Sequence, residues 1–284
     1  MLIETKKGIE TFMNDIDKLL KQLSEEKTAK YKGGIYYYTQ TELAYNSNRI
    51  EGSRLSRGHT KSLFETKTFI AEKDELIRSD DVIETTNHFR AFDYILDHSK
   101  ELLSESMIKD LHRILKCNTS DADLDWFNVG EYKAIENEIG ENKATTLPKN
   151  VSRDIKILLA TYQEIENKKV EDIIDFHVAF ESIHPFQDGN GRVGRLIMFK
   201  ECLINGVVPF IIDVDHKEFY YRGLRNYSKE KGWLVDTCLS AQDKYEAYCK
   251  KFVLNFGQNN EKSDPKSKSQ VKTRQSKNTH DLGR

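Results

Sequence analysis

Apolar residues recur at three- and four-residue spacing along most of this chain, and that period limits the possible folds more than any other feature. In IETFMNDIDKLLKQL, Ile9, Phe12, Ile16, Leu19, Leu20 and Leu23 line one helical face. Breakers are scarce, with 15 Gly and 4 Pro among 284 residues, so helices can run on uninterrupted. The spacing predicts an all-α fold, a helical bundle. A YKGG break separates the first helix from a second over YTQTELAYNSNRIEG, which ends at Gly52, a residue type that commonly closes helices. Further helices are expected at about residues 59–70, 82–98, 104–116, 150–167, 171–183, 191–204, 215–230 and 232–255. Residues 126–148, WFNVGEYKAIENEIGENKATTLP, depart from the pattern, and their two strand-like arms around IGENK predict a short β-hairpin or flap.

The length suits one main domain with terminal additions. We divide it into N-terminal helices over 1–56, a core over 57–256 and a tail over 257–284. The tail, GQNNEKSDPKSKSQVKTRQSKNTHDLGR, has few apolar residues to offset ordering entropy and is expected to be disordered. Lys plus Arg (44) nearly balance Asp plus Glu (46), so no global field calls for nucleic acid or an anionic membrane, and any anion site must be local. Apolar runs such as VVPFII fall far short of the roughly 20 residues of a membrane span. MLIETKKGIETF lacks a signal-peptide core, which predicts a cytoplasmic protein. Cys117, Cys202, Cys238 and Cys249 show no CxxC spacing and read as reduced thiols.

One stretch, IHPFQDGNGRVGR, concentrates chemistry that ending one helix and starting another does not require. Pro185 disfavours helical geometry at His184, which places the histidine where a helix gives way to a loop. Gly189 and Gly191 let backbone N–H groups approach an anion, and the helix that follows offers its positive end. Arg192 and Arg195 lie in the first turns of that helix, where guanidinium forks grip phosphate oxygens. Asp188 beside a polyphosphate suits Mg²⁺, and an ordinary imidazole at His184 suits proton acceptance near neutral pH. Together these residues describe phosphoryl or nucleotidyl transfer.

His184, Pro185, Phe186, Asp188, Gly189, Asn190, Gly191, Arg192 and Arg195 match every defined position of HPFx[D/E]GNGRxxR, and in this motif the chain resembles the Fic family. The resemblance covers about residues 40–250 and implies a helical bundle with a β-hairpin flap over the active site. Typical members are protein adenylyltransferases, which move AMP from ATP to a Ser, Thr or Tyr hydroxyl of a target protein and release pyrophosphate. On that resemblance His184 deprotonates the target hydroxyl, Phe186 anchors the loop and Asp188 binds the Mg²⁺ that bridges the α- and β-phosphates. Asn190 and the N–H groups around Gly189 and Gly191 hold phosphate oxygens, while Arg192 and Arg195 take the outer phosphates. In EFYYRGL, Tyr221, with Tyr220 as second choice, stands near the nucleotide base. The flap's strand edges dock the target protein by β-augmentation.

The family's inhibitory motif, [S/T]xxxE[G/N], is matched by SNRIEG, with Ser47 and Glu51 on one helical face. The resemblance implies that Glu51 pairs with Arg195 and denies it to ATP, and that Glu51 orients water in a reverse, de-AMPylating reaction. Two alternatives stay open at this stage: transfer from another nucleotide or phosphate donor, and a non-catalytic nucleotide-binding regulator. A nucleic-acid binder is disfavoured by the balanced charge. Self-association also stays open, because no surface stripe fixes an oligomer.

Overall fold

In the computed structural model, residues 2–71, 73–139, 143–253 and 256–257 are described. Ten helices are found among them: α1 Leu2–Ala29, α2 Ile35–Ile50, α3 Arg57–Thr66, α4 Ser79–Asp97, α5 Glu105–Lys116, α6 Pro148–Gln163, α7 Val170–Ile183, α8 Asn190–Ile204, α9 Lys217–Asn226 and α10 Gly232–Phe252. The all-α expectation is borne out. No described helix is long and apolar enough to cross a membrane. The tail beyond Gly257 lies outside the described residues, as do the side chains of Ile9 and Phe12.

The bundle is organised around α8. Of its 15 residues, 13 are buried, which is how a helix surrounded on all sides behaves. Phe199 meets Phe92 of α4 at 5.4 Å and Tyr245 of α10 at 5.6 Å, both edge-on. α2 packs nearly as deep and buries polar residues with the apolar ones, Ser47 and Asn48 included. The apolar face read in α1 is buried at Ile16, Leu19 and Leu23. Cys202, Cys238 and Cys249 are buried, Cys117 is half-buried, and all four are free thiols.

One expectation needs correction. The helix placed at 215–230 divides into a short 3-10 turn, Val214–His216, followed by α9, which ends at Asn226. The short hairpin expected around IGENK is present: β1 is Glu138–Ile139, β2 is Lys143–Ala144, and their register pairs Glu138 with Ala144. The preceding residues hydrogen-bond elsewhere. Gly130 N donates to His112 Nδ1 at 2.9 Å, and Lys133 N donates to the Pro185 carbonyl at 2.9 Å. These bonds tie the first arm to the helical body instead of to a second strand.

Candidate active site

α7 stops at Ile183 because the next residue, ahead of proline, leaves the right-handed region: His184 adopts φ 51°, ψ 64° and closes the helix by donating N–H to the Phe180 carbonyl at 2.9 Å. Its side chain is 19% exposed, with Nδ1 4.0 Å from Glu181 Oε2. Burial, followed by the charge of Lys133, pushes the imidazole down to about 4, so it is neutral at physiological pH and free to accept a proton. Phe186 is fully buried, stacked on His112 at 4.0 Å and 5.8 Å from Tyr132. Gly189, at φ +82°, turns the chain into α8, whose first N–H groups have no intrahelical acceptor.

The resemblance assigns Asn190 to phosphate, and here its side chain does something else. Oδ1 accepts from Phe186 N at 2.8 Å and Nδ2 donates to the Phe186 carbonyl at 2.9 Å, which closes the loop. What remains for an anion is the Asn190 backbone N–H. The hairpin base is fastened to the same loop: Asn137 Nδ2 donates to the Phe186 carbonyl at 3.0 Å, and Lys133 Nζ donates to Asn137 Oδ1 and Thr145 Oγ1, each at 2.6 Å. Burial pushes the Lys133 ammonium down to about 8.

On one side of the α8 N-terminus the charges interlock. Asp188 Oδ2 accepts from Lys116 Nζ at 2.7 Å and from Arg192 at 2.9 Å. Arg192 also pairs with Glu84 Oε2 at 2.5 Å. Burial alone would raise the Asp188 carboxyl, but Arg192 and Lys116 outweigh it and hold it well below the usual carboxylate range. With Oδ2 held by Lys116 and Arg192 and its side chain still 51% exposed, the Asp188 carboxylate fits a hard divalent cation.

On the other side stands Arg195, 3% exposed. Its NH2 donates to Glu51 Oε1 at 2.7 Å and to the Ser47 carbonyl at 3.0 Å, and its Nε donates to Ser47 Oγ at 3.0 Å. Burial opposes the guanidinium charge, and Glu51 raises it back above the ordinary value. A Cβ on Gly191 would lie 2.3 Å from Glu51 Oε1, so the room that glycine leaves at the helix start is taken by the Glu51 carboxylate. Tyr220 does not serve as an open base-stacking ring. It is 1% exposed, hydrogen-bonds His177 Nε2 at 2.6 Å and lies behind Arg195, 5.9 Å from ring centre to guanidinium. Tyr221 is half-buried, with its hydroxyl 3.4 Å from the Ile50 carbonyl next to Glu51.

Residues 102–202, which contain α5, the hairpin, α7 and the motif loop, match the Fic/DOC family model. They form a Fic domain. Relatives include the protein adenylyltransferase Fic of Aedes aegypti, 25% identical over 184 residues that cover 62% of this chain and 35% of the mosquito protein. The probable protein adenylyltransferase of Aquifex aeolicus is 27% identical over 198 residues, covering 64% of this chain and 57% of that one. The match therefore spans 35% to 57% of the lengths of these relatives. Among solved structures, a Fic domain containing signaling protein from Bacteroides thetaiotaomicron superposes with TM-score 0.63 at 20% identity, covering 85% of this chain and 95% of that one. Fic-1 from C. elegans gives 0.61 at 18%, covering 88% and 74%. At these identities the likeness is one of fold.

Sequence reasoning missed several residues around the Fic motif. His112 and Lys116 continue the buried face of α5 set by Ile108, Leu111 and Leu115, a periodicity that was available. Glu84, Asp121, Lys133 and Glu181 gave no such signal, because each matters through partners distant in the chain or across a turn. Glu181 is half-buried beneath Gly194, whose Cβ would lie 3.0 Å from its Oε1. Burial first, and Glu51 second, push its carboxyl up to about 8.

Proposed function

We propose that this chain is an autoinhibited protein adenylyltransferase that moves AMP from ATP to a hydroxyl of a target protein. The observation that carries this reading is the Glu51 carboxylate seated in the anion cradle at the start of α8 and bonded to Arg195 at 2.7 Å, beside a neutral His184. A negatively charged side chain there occupies what a phosphate would use, and a cradle that needs a built-in occupant is one made for an anion.

In the forward reaction the target hydroxyl oxygen bonds to the α-phosphorus, the bond from that phosphorus to pyrophosphate breaks, and the hydroxyl proton passes to His184 Nε2. His184 Nδ1 faces Glu181 and is turned away from that task. The N–H groups of Asn190, Gly191 and Arg192 receive phosphate oxygens, Arg192 and Arg195 hold the outer phosphates, and Tyr221 borders the base. Asp188 would hold the Mg²⁺, which supplies neutralising charge to the phosphates. The target segment lies along the hairpin, whose base is fixed to the motif loop by Asn137 and Lys133, so its register over His184 is set by the same backbone. Phe186 anchors the loop by burial.

Transfer of label from α-labelled ATP with Mg²⁺ tests this, in lysate and on the chain alone. Label should reach protein strongly with Glu51→Gly, weakly with wild type and not at all with Glu51→Gly combined with His184→Ala. Bound ATP without label in any sample would sink the transferase and leave a nucleotide-binding regulator.

A further inference from the structure

Lys116, the last residue of α5, has a side chain only 1% exposed, yet its ammonium meets three carboxylates: Glu84 Oε1 at 2.6 Å, Asp121 Oδ2 at 2.7 Å and Asp188 Oδ2 at 2.7 Å. Ligand atoms of those three acids lie within 4.8 Å of one another, the kind of oxygen cluster that holds a divalent ion. Here the chain itself fills the centre. Arg192 adds a second cation on Glu84 and Asp188, so three carboxylates against two cations leave one net negative charge.

The two cations on Asp188 Oδ2 differ in what nucleotide does to them. Arg192 stands in the first turn of α8, where outer phosphates compete for its guanidinium. Lys116 has three acidic partners and no open side, so it stays when Arg192 turns.

We propose that Lys116 is the resident cation of this nest. It is a positioning residue that excludes free divalent ions and pins Asp188 Oδ2 so that Oδ1 faces the phosphates, which makes metal binding conditional on nucleotide. The inference rests on Asp188 being the ligand of an ATP-bound metal.

Mn²⁺ uptake by the full chain, read as the loss of the free-ion electron paramagnetic resonance signal beyond that in matched protein-free samples, tests it with and without a slowly hydrolysed ATP analogue. Wild type takes up Mn²⁺ only with the analogue. Lys116→Met, which leaves three carboxylates against Arg192 alone, takes up Mn²⁺ without nucleotide, and adding Asp121→Asn reverses that gain. In the labelling assay Lys116→Met needs about 10- to 100-fold more Mg²⁺ for half-maximal rate, the usual cost of losing a partner of a metal ligand. Equal uptake by wild type with and without nucleotide overturns the proposal whether or not the variant folds. A Lys116→Met protein with the wild-type circular dichroism spectrum and the wild-type Mn²⁺ response overturns it too. If no sample is labelled but Lys116→Met still gains nucleotide-free Mn²⁺, the resident cation stands and the transferase reading falls.

Discussion

Replacing Glu51 removes one of the groups that hold Arg195 and leaves the two bonds to Ser47. A hydrogen bond to a charged group contributes about 1.5–3 kcal/mol. The Glu51 side chain is 29% exposed, and solvent screening keeps this pair near the lower end, about 1.5–2 kcal/mol. At about 1.4 kcal/mol per factor of ten, Glu51→Gly should lower the half-saturating ATP concentration about 10- to 30-fold. Glu51→Gln keeps the volume and an acceptor but loses the charge. Charge-assisted bonds are roughly twice as strong as neutral ones, so about half the effect on a logarithmic scale is expected, about three- to fivefold. The assay is an ATP titration of label transfer, with calorimetric binding of a slowly hydrolysed analogue to separate affinity from chemistry. Equal half-saturation for wild type and Glu51→Gly would refute the competition for Arg195. Wild-type behaviour of Glu51→Gln would show that volume in the cradle, not charge, is the brake.

Three further outcomes follow from the packing and charges. Gly191→Ala places a Cβ 2.3 Å from Glu51 Oε1 and 3.0 Å from Arg195 Nη1, so it should displace the Glu51 carboxylate and cost about 1–3 kcal/mol in wild type, and less in a Glu51→Gly background, where only the Arg195 contact remains; additive urea midpoints would contradict the shared space. Phe186→Ala, at a fully buried ring stacked on His112, should cost about 3–5 kcal/mol and loosen the loop, and a loss below about 1 kcal/mol in urea unfolding would remove its anchoring role. Burial holds His88, His112 and His177 down at about 3 and His184 at about 4, while the unfolded chain protonates them near 6.5. Their stabilisation is present above 6.5 and lost as pH falls toward 3–4, by up to about 1.4 kcal/mol per pH unit for each imidazole. Glu181 acts in the opposite sense: raised from 4.5 to about 8, it stabilises fully below 4.5 and loses that contribution as pH rises through 8. Urea midpoints that do not move between pH 4 and 7 would refute the buried neutral histidines.

The helices were legible because a period of 3.6 residues is local, and burial in α8 or α5 writes it into consecutive turns. The motif residues from His184 to Arg195 were legible for the same reason: they are neighbours in sequence, and the loop and helix start that join them are short-range structure. The short hairpin around IGENK was legible too, but how little of the flanking 126–148 segment joins it was not. Its strand-like composition is real, but Gly130, Lys133 and Asn137 spend their hydrogen bonds on His112, Pro185 and Phe186, which no propensity records. The loop-closing bonds of the Asn190 side chain were not legible either, because a side chain that can face an anion can equally close its own loop.

By itself, then, the sequence determined a helical chain, the position of its histidine–glycine–arginine loop and the facing of Ser47 with Glu51. Tertiary structure alone decided what those groups touch. Glu51 reaches Arg195 across 144 residues, and Lys116 reaches Asp188 across 72 and Glu84 across 32. Such contacts come from how α2, α4 and α5 pack against α8. The packing is driven by apolar burial that is indifferent to which charges it brings together, so the partners of a buried charge become readable only once the helices are in place.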